Sequence, residues 1–399
     1  MTGPAGAPAG TAGTGGTAVA LACRGCGDRG PWRVVDLGAQ PASDDFPAAD
    51  APGPDGRWPL ELWTCPVCAL VQLGPMEALL EVPPRAVESL TSRRHARRMA
   101  GALLADHPEL AGRPVREFAS HHGGSWLEAL YELGCRPAGP DERAGLVVDA
   151  HALAHEQDVD GALADRARVL APDGLLVLEH HHLLPLVEEG QFDTVRHGHW
   201  SYLSLTALDR LAARHGLRAV RAVPEAVFGG SLRVVLAHAD AAVPVDGSVP
   251  ELLGRERAAG LHDGSGLATF GLRARESAAA LHAFLVEERA AGRQVLGYGA
   301  PSKAAVLLGL AGVGPELLPF TVDAAPLKHG LAVPGVRVPI RPVPELAAAR
   351  PDRVLVLTWD IADEVMEQLE ASGGWGARYV LPLPAPRFVG GSEALRAVP

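Results

Sequence analysis

Two Cys-x-x-C motifs near the start of the chain constrain its fold more than any other feature. They contain four of the five cysteines, namely Cys23, Cys26, Cys65 and Cys68. Two such pairs provide four thiolates for a tetrahedral Zn²⁺ ion, and the alternating residues 32–37 and 60–63 between them predict ribbon strands. Disulfides are the alternative, but nothing in the sequence indicates export. Because four thiolates would leave no coordination position for a substrate water, we expect a structural site.

Length and composition predict several globular domains. A chain of 399 residues exceeds a single core, and its net charge of −11 argues against nucleic-acid binding. No apolar run approaches the ~20 residues of a membrane span. We therefore expect a soluble, cytoplasmic protein, with its oligomeric state left open. The predicted order is a disordered tail (1–20, without the basic start of a signal peptide), a zinc-binding module (21–84), a middle α/β domain (85–240), a helical connector (241–292) and a second α/β domain (293–399).

The middle domain begins like a nucleotide-binding α/β domain. Residues 114–119 predict a strand, residues 120–124 a glycine-containing loop and residues 125–133 a helix. In such units, backbone N–H groups and the helix N-terminus face the ligand, and an acidic residue at a strand tip accepts hydrogen bonds from ribose hydroxyls. The candidate cofactor-binding residues are Glu117, Ala119, Ser120, Gly123 and Asp141.

Further alternating elements continue the domain. The predicted strands are 144–150, 175–179, 217–223 and 232–237, the predicted helices are 159–170 and 206–215, and a turn is expected at 171–174. A helix expected at 85–108 carries Arg93, Arg94, Arg97 and Arg98 on one face, which is either a solvated surface or a phosphate-contacting patch.

A cluster of histidines marks the candidate catalytic stretch. Seven of the 16 histidines lie between His151 and His199, around the segment 191–202. Histidine has an unperturbed pKa of about 6.5 and suits proton transfer at neutral pH. The position of this cluster after a buried strand favours a functional site, although any one of these histidines is equally well explained as a loop or cap residue.

The C-terminal domain repeats the strand, glycine turn and helix pattern at 294–303. It contains both lysines of the chain, Lys303 and Lys328, at or just beyond strand ends. Open α/β sheets bind ligands at the carboxyl ends of their strands, and a phosphate is a natural partner for a lysine there. A surface loop is the alternative for each lysine.

Several motifs in the same order resemble the sugar C-methyltransferases of antibiotic deoxysugar pathways. These enzymes add a methyl branch to nucleotide-linked 4-keto sugars, for example at C-3. Besides the cysteine pairs, the motifs are Gln191-Phe-Asp-Thr, Ser201-Tyr-Leu-Ser-Leu-Thr206, Gly229-Gly-Ser-Leu-Arg233, Gly297-Tyr-Gly-Ala with Lys303, Pro326-Leu-Lys-His-Gly330 after Asp323, and Pro334-Gly-Val-Arg-Val-Pro-Ile340. The resemblance implies a zinc-binding module, a Rossmann-like methyltransferase domain, shortened between Asp141 and Gly145, and a second Rossmann-like domain.

The resemblance also implies a mechanism. A base removes the proton beside the ketone of a nucleotide-diphosphate sugar, and the enolate takes the methyl group of S-adenosylmethionine. His199 matches the position of the base, and His155 matches a second active-site histidine. His197 and Arg196 lie in the same motif as His199, and the expected substrate-binding residues are Arg233, Tyr298, Lys303 and Lys328.

The chain departs from the family pattern at several positions. Arg196 and Gly198 replace a tyrosine and a glutamate, Phe228 replaces a histidine, and His121-His122 replaces Asn-Asp. Three hypotheses therefore stay open: a sugar C-methyltransferase, an epimerase or isomerase that uses the same base without S-adenosylmethionine, and an inactive homologue that acts as a binding partner.

Overall fold

The computed structural model describes residues 21–76, 87–120 and 123–390. The predicted tail at 1–20 and the residues His121 and His122 lie outside the described residues. In the part described, no helix is both long and apolar enough to cross a membrane.

The strands fall into three sheets. In chain order they are β1 (Trp32–Gln40), β2 (Trp58–Thr64), β3 (Val71–Leu73), β4 (Pro114–Phe118), β5 (Arg136–Pro137), β6 (Ala144–Ala150), β7 (Leu170–His181), β8 (Ser201–Tyr202), β9 (Leu217–Glu225), β10 (Ser231–His238), β11 (Val295–Tyr298), β12 (Thr321–Asp323), β13 (Ile340–Pro342), β14 (Arg353–Val356), β15 (Arg378–Leu381) and β16 (Arg387–Val389).

The helices cover the two larger sheets and connect them. They are α1 (Leu90–Asp106), α2 (Leu127–Glu132), α3 (Val159–Val169), α4 (Leu183–Glu188), α5 (Leu205–Ala213), α6 (Ser248–Ala258), α7 (Phe270–Ala290), α8 (Ser302–Ala311), α9 (Val343–Ala349) and α10 (Ala362–Ala371). The predicted connector is the pair α6 and α7, and α7 packs on α8 and on β1. The four arginines of α1 are all exposed.

The N-terminal sheet is antiparallel and has the order β1-β2-β3-β8. Its fourth strand does not come from the cysteine-rich segment, because β8 directly follows the candidate catalytic stretch. Val71 pairs with Tyr202 and Gln72 with Ser201. The zinc-binding module and the stretch 191–202 therefore share one sheet.

The middle sheet has the order β5-β4-β6-β7-β10-β9. Its first four strands are parallel, and β10 runs antiparallel to both of its neighbours. The turn expected at 171–174 is instead part of β7. The pairing shifts from Ala144 opposite Leu170 to Leu146 opposite Leu175, so a bulge absorbs the Pro-Asp-Gly residues without ending the strand.

The C-terminal sheet has the order β13-β12-β11-β14-β15-β16, and only its last strand is antiparallel. Its parallel strands are mostly buried on both faces, which explains their continuous apolar runs. The fold is therefore α/β, as expected, with a zinc-binding ribbon and two Rossmann-like sheets. The predicted domain boundaries stay predictions.

Candidate active site

The four cysteines of the two Cys-x-x-C motifs converge on one point. All four sulfur atoms lie within 4.8 Å of one another, and the Sγ atoms of Cys23 and Cys68, like those of Cys26 and Cys65, are 3.5 Å apart. Tetrahedral Zn²⁺ with Zn–S bonds of about 2.3 Å requires sulfur separations of about 3.8 Å. These thiols therefore fit a structural zinc ion.

Each cysteine motif is followed directly by a residue in the left-handed backbone conformation, and this residue closes the turn. Gly27 has φ +75° and Ala69 has φ +62°. Their N–H groups donate to the carbonyl oxygens of Cys23 and Cys65, at 2.9 Å in both cases. Glycine adopts this conformation without strain, whereas Ala69 adopts it at some cost in energy. The two turns have the same geometry although only one contains the expected glycine.

A cavity of about 490 Å³ lies where the carboxyl ends of the middle and C-terminal sheets meet. The middle sheet contributes residues after β4 and β6 and at the end of β7, and the C-terminal sheet contributes residues after β11, β12 and β14. The predicted site residues that line it are Ser120, Gly123, His155, Arg196, His199, Tyr298, Lys303 and Lys328. The topology thus brings together residues far apart in the sequence.

The turn after β6 positions His155. The Asp149 carboxylate accepts hydrogen bonds from the backbone N–H groups of Ala152 (2.8 Å) and Leu153 (3.2 Å). Its second oxygen accepts a hydrogen bond from Nε of the buried Arg166 at 2.5 Å. This buried pair fixes the short helical turn Leu153–His155.

His155 and His199 form a contacting pair in the cavity wall. Their ring centroids are 5.0 Å apart in an edge-to-face arrangement. His155 donates from Nδ1 to the carbonyl oxygen of Gly198 at 2.8 Å, which places the acceptor lone pair of a neutral His155 on Nε2. On its other side, His199 packs against Tyr202, whose centroid is 4.6 Å away.

Arg196 occupies the same wall. Its guanidinium lies 3.3 Å from the carboxylate of Asp44, a residue of the loop between β1 and β2. Its backbone N–H donates to the hydroxyl of Tyr202 at 3.0 Å. The arginine side chain therefore brings a positive charge, paired with the carboxylate of Asp44, to the cavity that contains His199.

The cofactor loop is shaped by two glycines and a carboxylate. Gly123 and Gly124 have φ +82° and +80°, and the N–H of Gly124 donates to Oε1 of Glu88 at 2.6 Å. A Cβ atom on Gly123 would come within 3.1 Å of Glu88. Because of these contacts, the loop and the residues before α1 form one continuous part of the wall.

Five predicted residues lie outside the cavity. His197 has Nδ1 3.0 Å from the carbonyl oxygen of Pro41 and Nε2 3.2 Å from that of Pro59, so it anchors the stretch to the zinc-binding module. The others are Arg233, which pairs with Glu225 at 3.2 Å, Glu117, which accepts from Ser125 and Trp126 at the start of α2, and the exposed Ala119 and Asp141. Burial, the largest influence, raises the pKa of Glu117.

Both lysines of the C-terminal domain lie in the cavity wall and each has a carboxylate partner. Lys303 forms an ion pair with Asp360 and lies 4.2 Å from the ring centroid of Trp359. Lys328 donates to the carbonyl oxygen of Ala300 at 2.8 Å and lies 3.5 Å from Asp323. Both side chains are buried except for the surface that faces the cavity.

Tyr298 lies beside these lysines and keeps its proton. Its hydroxyl donates to Gln368 at 3.3 Å. Burial above all, together with the nearby carboxylates of Asp323 and Glu364, raises the pKa of Tyr298 to about 12. The phenol is therefore a hydrogen-bond donor at neutral pH.

Burial shifts two further groups around the site in opposite directions. Burial, helped by the positive charge of Lys303, lowers the pKa of His181 to about 4. Burial raises the pKa of Asp193 to about 6, although Lys303 and a 2.7 Å hydrogen bond from Trp359 oppose the change. Desolvation disfavours the charged form of both groups, which explains the opposite signs.

A second group of ionisable residues in the wall was not predicted from the sequence. It consists of His95 on α1, His151 after β6 and Glu179 at the end of β7. His151 and Glu179 follow or end buried parallel strands, and this position could have indicated them. His95 gave no local signal, because it contacts Glu179 across 84 residues of sequence.

Two domain families match the chain. Residues 226–384 match the C-methyltransferase C-terminal domain, and residues 23–78 match a zinc binding domain. The protein is therefore a methyltransferase whose N-terminal thiolate cluster is a zinc-binding site. More specifically, residues 226–384 match the C-methyltransferase family model, and the resemblance to C-methyltransferases seen in the sequence is confirmed.

A curated relative covers almost the whole chain. The C-methyltransferase NovU of Streptomyces niveus is 29% identical over 411 residues, which are 94% of this chain and 98% of that protein. Solved structures are more distant. The magnesium protoporphyrin IX methyltransferase of Synechocystis, with bound SAH, is 12% identical over 37% of this chain and 84% of that one, with a TM-score of 0.29. The 1,6-didemethyltoxoflavin-N1-methyltransferase of Burkholderia thailandensis is 15% identical over 43% of this chain and 96% of that one, with a TM-score of 0.30. Scores this low do not bear on function.

Proposed function

We propose that this protein transfers a methyl group from S-adenosylmethionine to the carbon beside the ketone of a nucleotide-linked 4-keto-deoxysugar. The observation that carries the proposal is that His155 and His199 share one cavity with Lys303 and Lys328. An imidazole that titrates near neutral pH is a suitable base for a carbon acid next to a ketone. Lysines on the opposite sheet suit the phosphates of a sugar nucleotide.

The cavity also suits a hydroxyl-rich ligand. Its described wall contains six carboxylates (Asp44, Glu88, Glu179, Asp323, Asp360 and Glu364) and four cationic side chains (Arg93, Arg196, Lys303 and Lys328). Carboxylates accept hydrogen bonds from sugar hydroxyls, and the cations balance phosphate charge and the developing enolate.

Ser120, Gly123 and Gly124 are the residues we assign to the methyl donor. S-adenosylmethionine supplies an electrophilic methyl group on a cationic sulfonium. Gly123 and Gly124 line the cavity beside Ser120, and the carboxylate of Glu88 suits a cofactor that carries positive charge. His199, held between His155 and Tyr202, removes the proton from the sugar carbon.

The test combines binding, proton exchange and product mass. S-adenosylmethionine binding is measured by calorimetry, and the full chain is then incubated in deuterated water with a thymidine-diphospho-4-keto-deoxysugar, with and without the methyl donor. Binding, deuterium exchange beside the ketone and a gain of one methyl group support the proposal. Exchange without cofactor binding replaces it with the epimerase or isomerase hypothesis. The absence of both cofactor binding and deuterium exchange rejects both activities for this substrate.

Matched variants identify the base. His199→Gln should abolish exchange, whereas His262→Gln, at a partly exposed position outside the cavity, should leave it unchanged. Full exchange by His199→Gln removes His199 from the mechanism.

A further inference from the structure

A histidine–glutamate–histidine cluster lies in the cavity wall and has no part in the chemistry assigned above. His95 donates from Nε2 to Oε1 of Glu179 at 2.7 Å, and His151 approaches the same oxygen with its Nε2 at 3.2 Å. The backbone N–H of His151 also donates to the carbonyl oxygen of Glu179 at 2.7 Å. Three elements, α1, β6 and β7, thus hold one carboxylate between two imidazoles.

The hydrogen bonds assign the protons of this cluster. Nη2 of Arg98 lies 3.1 Å from Nδ1 of His95. Arginine only donates, so Nδ1 of His95 accepts and its proton is on Nε2, which donates to Glu179. Burial opposes ionisation of Glu179, but the hydrogen bonds from His151 and His95 prevail and lower its pKa to about 2. An ionised Glu179 accepts Nε2–H from His151, which places the lone pair of a neutral His151 on Nδ1.

The cluster is held by strained backbone. His151 has φ +65° and Phe228 has φ +53°, and both are non-glycine residues in the left-handed region. The Phe228 ring stands edge-on to both imidazoles, with centroids 5.6 Å from His151 and 5.7 Å from His95. Strain of this kind persists where the surroundings fix a conformation, and it concentrates at functional sites.

Exposure distinguishes the three residues. The side chains of Glu179 and His95 are 1% and 5% exposed, whereas that of His151 is 24% exposed and lines the cavity. Oε2 of Glu179 is buried and has no hydrogen-bond partner in the described part of the chain. His151 is therefore the member of the cluster that a substrate can reach, with Glu179 and His95 behind it.

Enolisation of a ketone needs a group that stabilises or protonates the carbonyl oxygen, and His151 is placed where a substrate can reach it. The carbon loses a proton to His199 while negative charge develops on the carbonyl oxygen. Arg196 supplies positive charge but no transferable proton, because a guanidinium does not deprotonate in proteins. An imidazolium held by a carboxylate supplies both charge and proton.

We propose that His151, oriented by Glu179 and His95, is a second acid–base residue that exchanges a proton with the carbonyl oxygen of the substrate. This inference rests on the proposed function. His199 takes the proton from carbon, and the C–H electron pair forms the C=C bond. The carbonyl π pair takes the proton from Nδ1–H of His151, which leaves an enol, a protonated His199 and a neutral His151. The reverse reaction restores all three.

Several ionisable side chains lie around His151. Besides Glu179, they are His95 on α1 and His180 and His181 on β7. Burial lowers the pKa values of His180 and His181, so both are neutral at pH 7, and Glu179 is the carboxylate that contacts the His151 ring. Removing that charge should therefore lower the pH at which His151 loses its proton.

The experiment measures deuterium exchange into the thymidine-diphospho-4-keto-deoxysugar without methyl donor, from about pH 5.5 to about pH 9, the range in which imidazoles titrate. His151→Gln should slow exchange about 100-fold and remove the alkaline limb of the profile, while the acidic limb set by His199 stays. Glu179→Gln should move the alkaline limb to lower pH by about one unit. His262→Gln should change neither. Exchange by His151→Gln at the full rate, with both limbs intact, overturns the proposal.

A second measurement does not depend on the substrate. In the full chain labelled at histidine, the His151 resonance, assigned by its loss in His151→Gln, is titrated in the wild type and in Glu179→Gln. Zinc content and circular dichroism check that each variant is folded. A transition that moves to lower pH in Glu179→Gln supports the proposal, and a His151 that does not titrate overturns it. A wild type without exchange rejects the proposed function and, with it, the proton transfer assigned to His151, whereas full exchange by both the wild type and His151→Gln rejects this inference alone.

Discussion

The ring of Tyr202 lies against the imidazole of His199, with 4.6 Å between the centroids and 34° between the planes. Tyr202 is also the β8 residue that pairs with Val71 on β3, three residues beyond Cys68. The N–H of Leu73 donates to the carbonyl oxygen of Trp200 at 3.0 Å, next to His199. The candidate base is therefore supported by the sheet that the zinc site organises.

Loss of zinc should impair proton exchange although the metal lies outside the cavity. Cys65→Ser removes one of four thiolates, and we expect loss of bound zinc and exchange about 100-fold slower, the order expected when a catalytic group shifts by ~1 Å. Metal content and deuterium exchange are measured on the same sample. Cys135→Ser is the matched control, because this buried cysteine lies outside the cluster. A zinc-free variant with the full rate would show that the module does not position His199.

The sequence predicted most regular elements, because their signals are local. The cysteine motifs, the strand β6 and the strand–loop–helix units follow from spacing and periodicity over a few residues. The strand β8 could not be predicted, because two residues carry no periodic signal and their partner strand is more than a hundred residues away. The contact between His95 and Glu179 is invisible for the same reason.

Some predicted site residues lie outside the cavity for local physical reasons. Asp141 was expected at a strand tip, but β5 is only two residues long and the turn that follows it is exposed. His197 and His199 are two residues apart in a loop, and their side chains lie in different surroundings, His197 against Pro41 and Pro59 and His199 in the cavity. Sequence spacing alone does not determine side-chain direction in an irregular segment.

Gly198 should be needed for its backbone conformation. Its φ is +85°, and a Cβ atom there would meet only Arg196, at 3.8 Å, so the cost of substitution is conformational. We expect Gly198→Ala to lower the free energy of unfolding by about 1 kcal/mol or more. Exchange should also slow, since the carbonyl oxygen of Gly198 accepts from His155.

The control for Gly198→Ala is Gly101→Ala. Gly101 lies inside α1, and a Cβ atom there meets nothing within 4 Å. Alanine should raise the free energy of unfolding at this site by roughly 0.5–1 kcal/mol, because glycine is unfavourable inside helices. Urea unfolding of both variants should thus give changes of opposite sign. Equal stability of Gly198→Ala and the wild type would contradict the argument.

Acid should destabilise the folded protein through His181. Its pKa falls from about 6.5 in the unfolded chain to about 4 in the fold, mainly through burial and then through Lys303. Below pH 6.5 the unfolded state therefore binds a proton that the folded state does not, and stability falls until the pH reaches about 4. The expected loss is on the order of 1–3 kcal/mol.

The variant His181→Gln tests this contribution of His181 to the pH dependence of stability. The amide still donates to Gln191, which accepts from His181 at 2.9 Å, but it does not titrate. Urea unfolding at several pH values should show a shallower loss of stability between about pH 6.5 and about pH 4 than in the wild type. His262→Gln, at its partly exposed position, should keep the wild-type slope. An unchanged slope in His181→Gln would assign the acid sensitivity to other groups.

Asp193 should give the opposite pH dependence. It is fully buried, and burial raises its pKa to about 6 against 3.8 in the unfolded chain. Its stabilising contribution is complete below pH 3.8 and is lost as the pH rises through 6, since the folded state must then bury a carboxylate.

Asp193→Asn keeps an acceptor for the 2.7 Å hydrogen bond from Trp359 and removes this charge. At pH 8 we therefore expect an unfolding free energy about 1–3 kcal/mol above the wild type, and at pH 4 a difference near zero. The exposed Asp240→Asn should show no such pH-dependent gain. An Asp193→Asn variant that is less stable than the wild type at pH 8 would mean that the nearby positive charge of Lys303 balances the charge of Asp193.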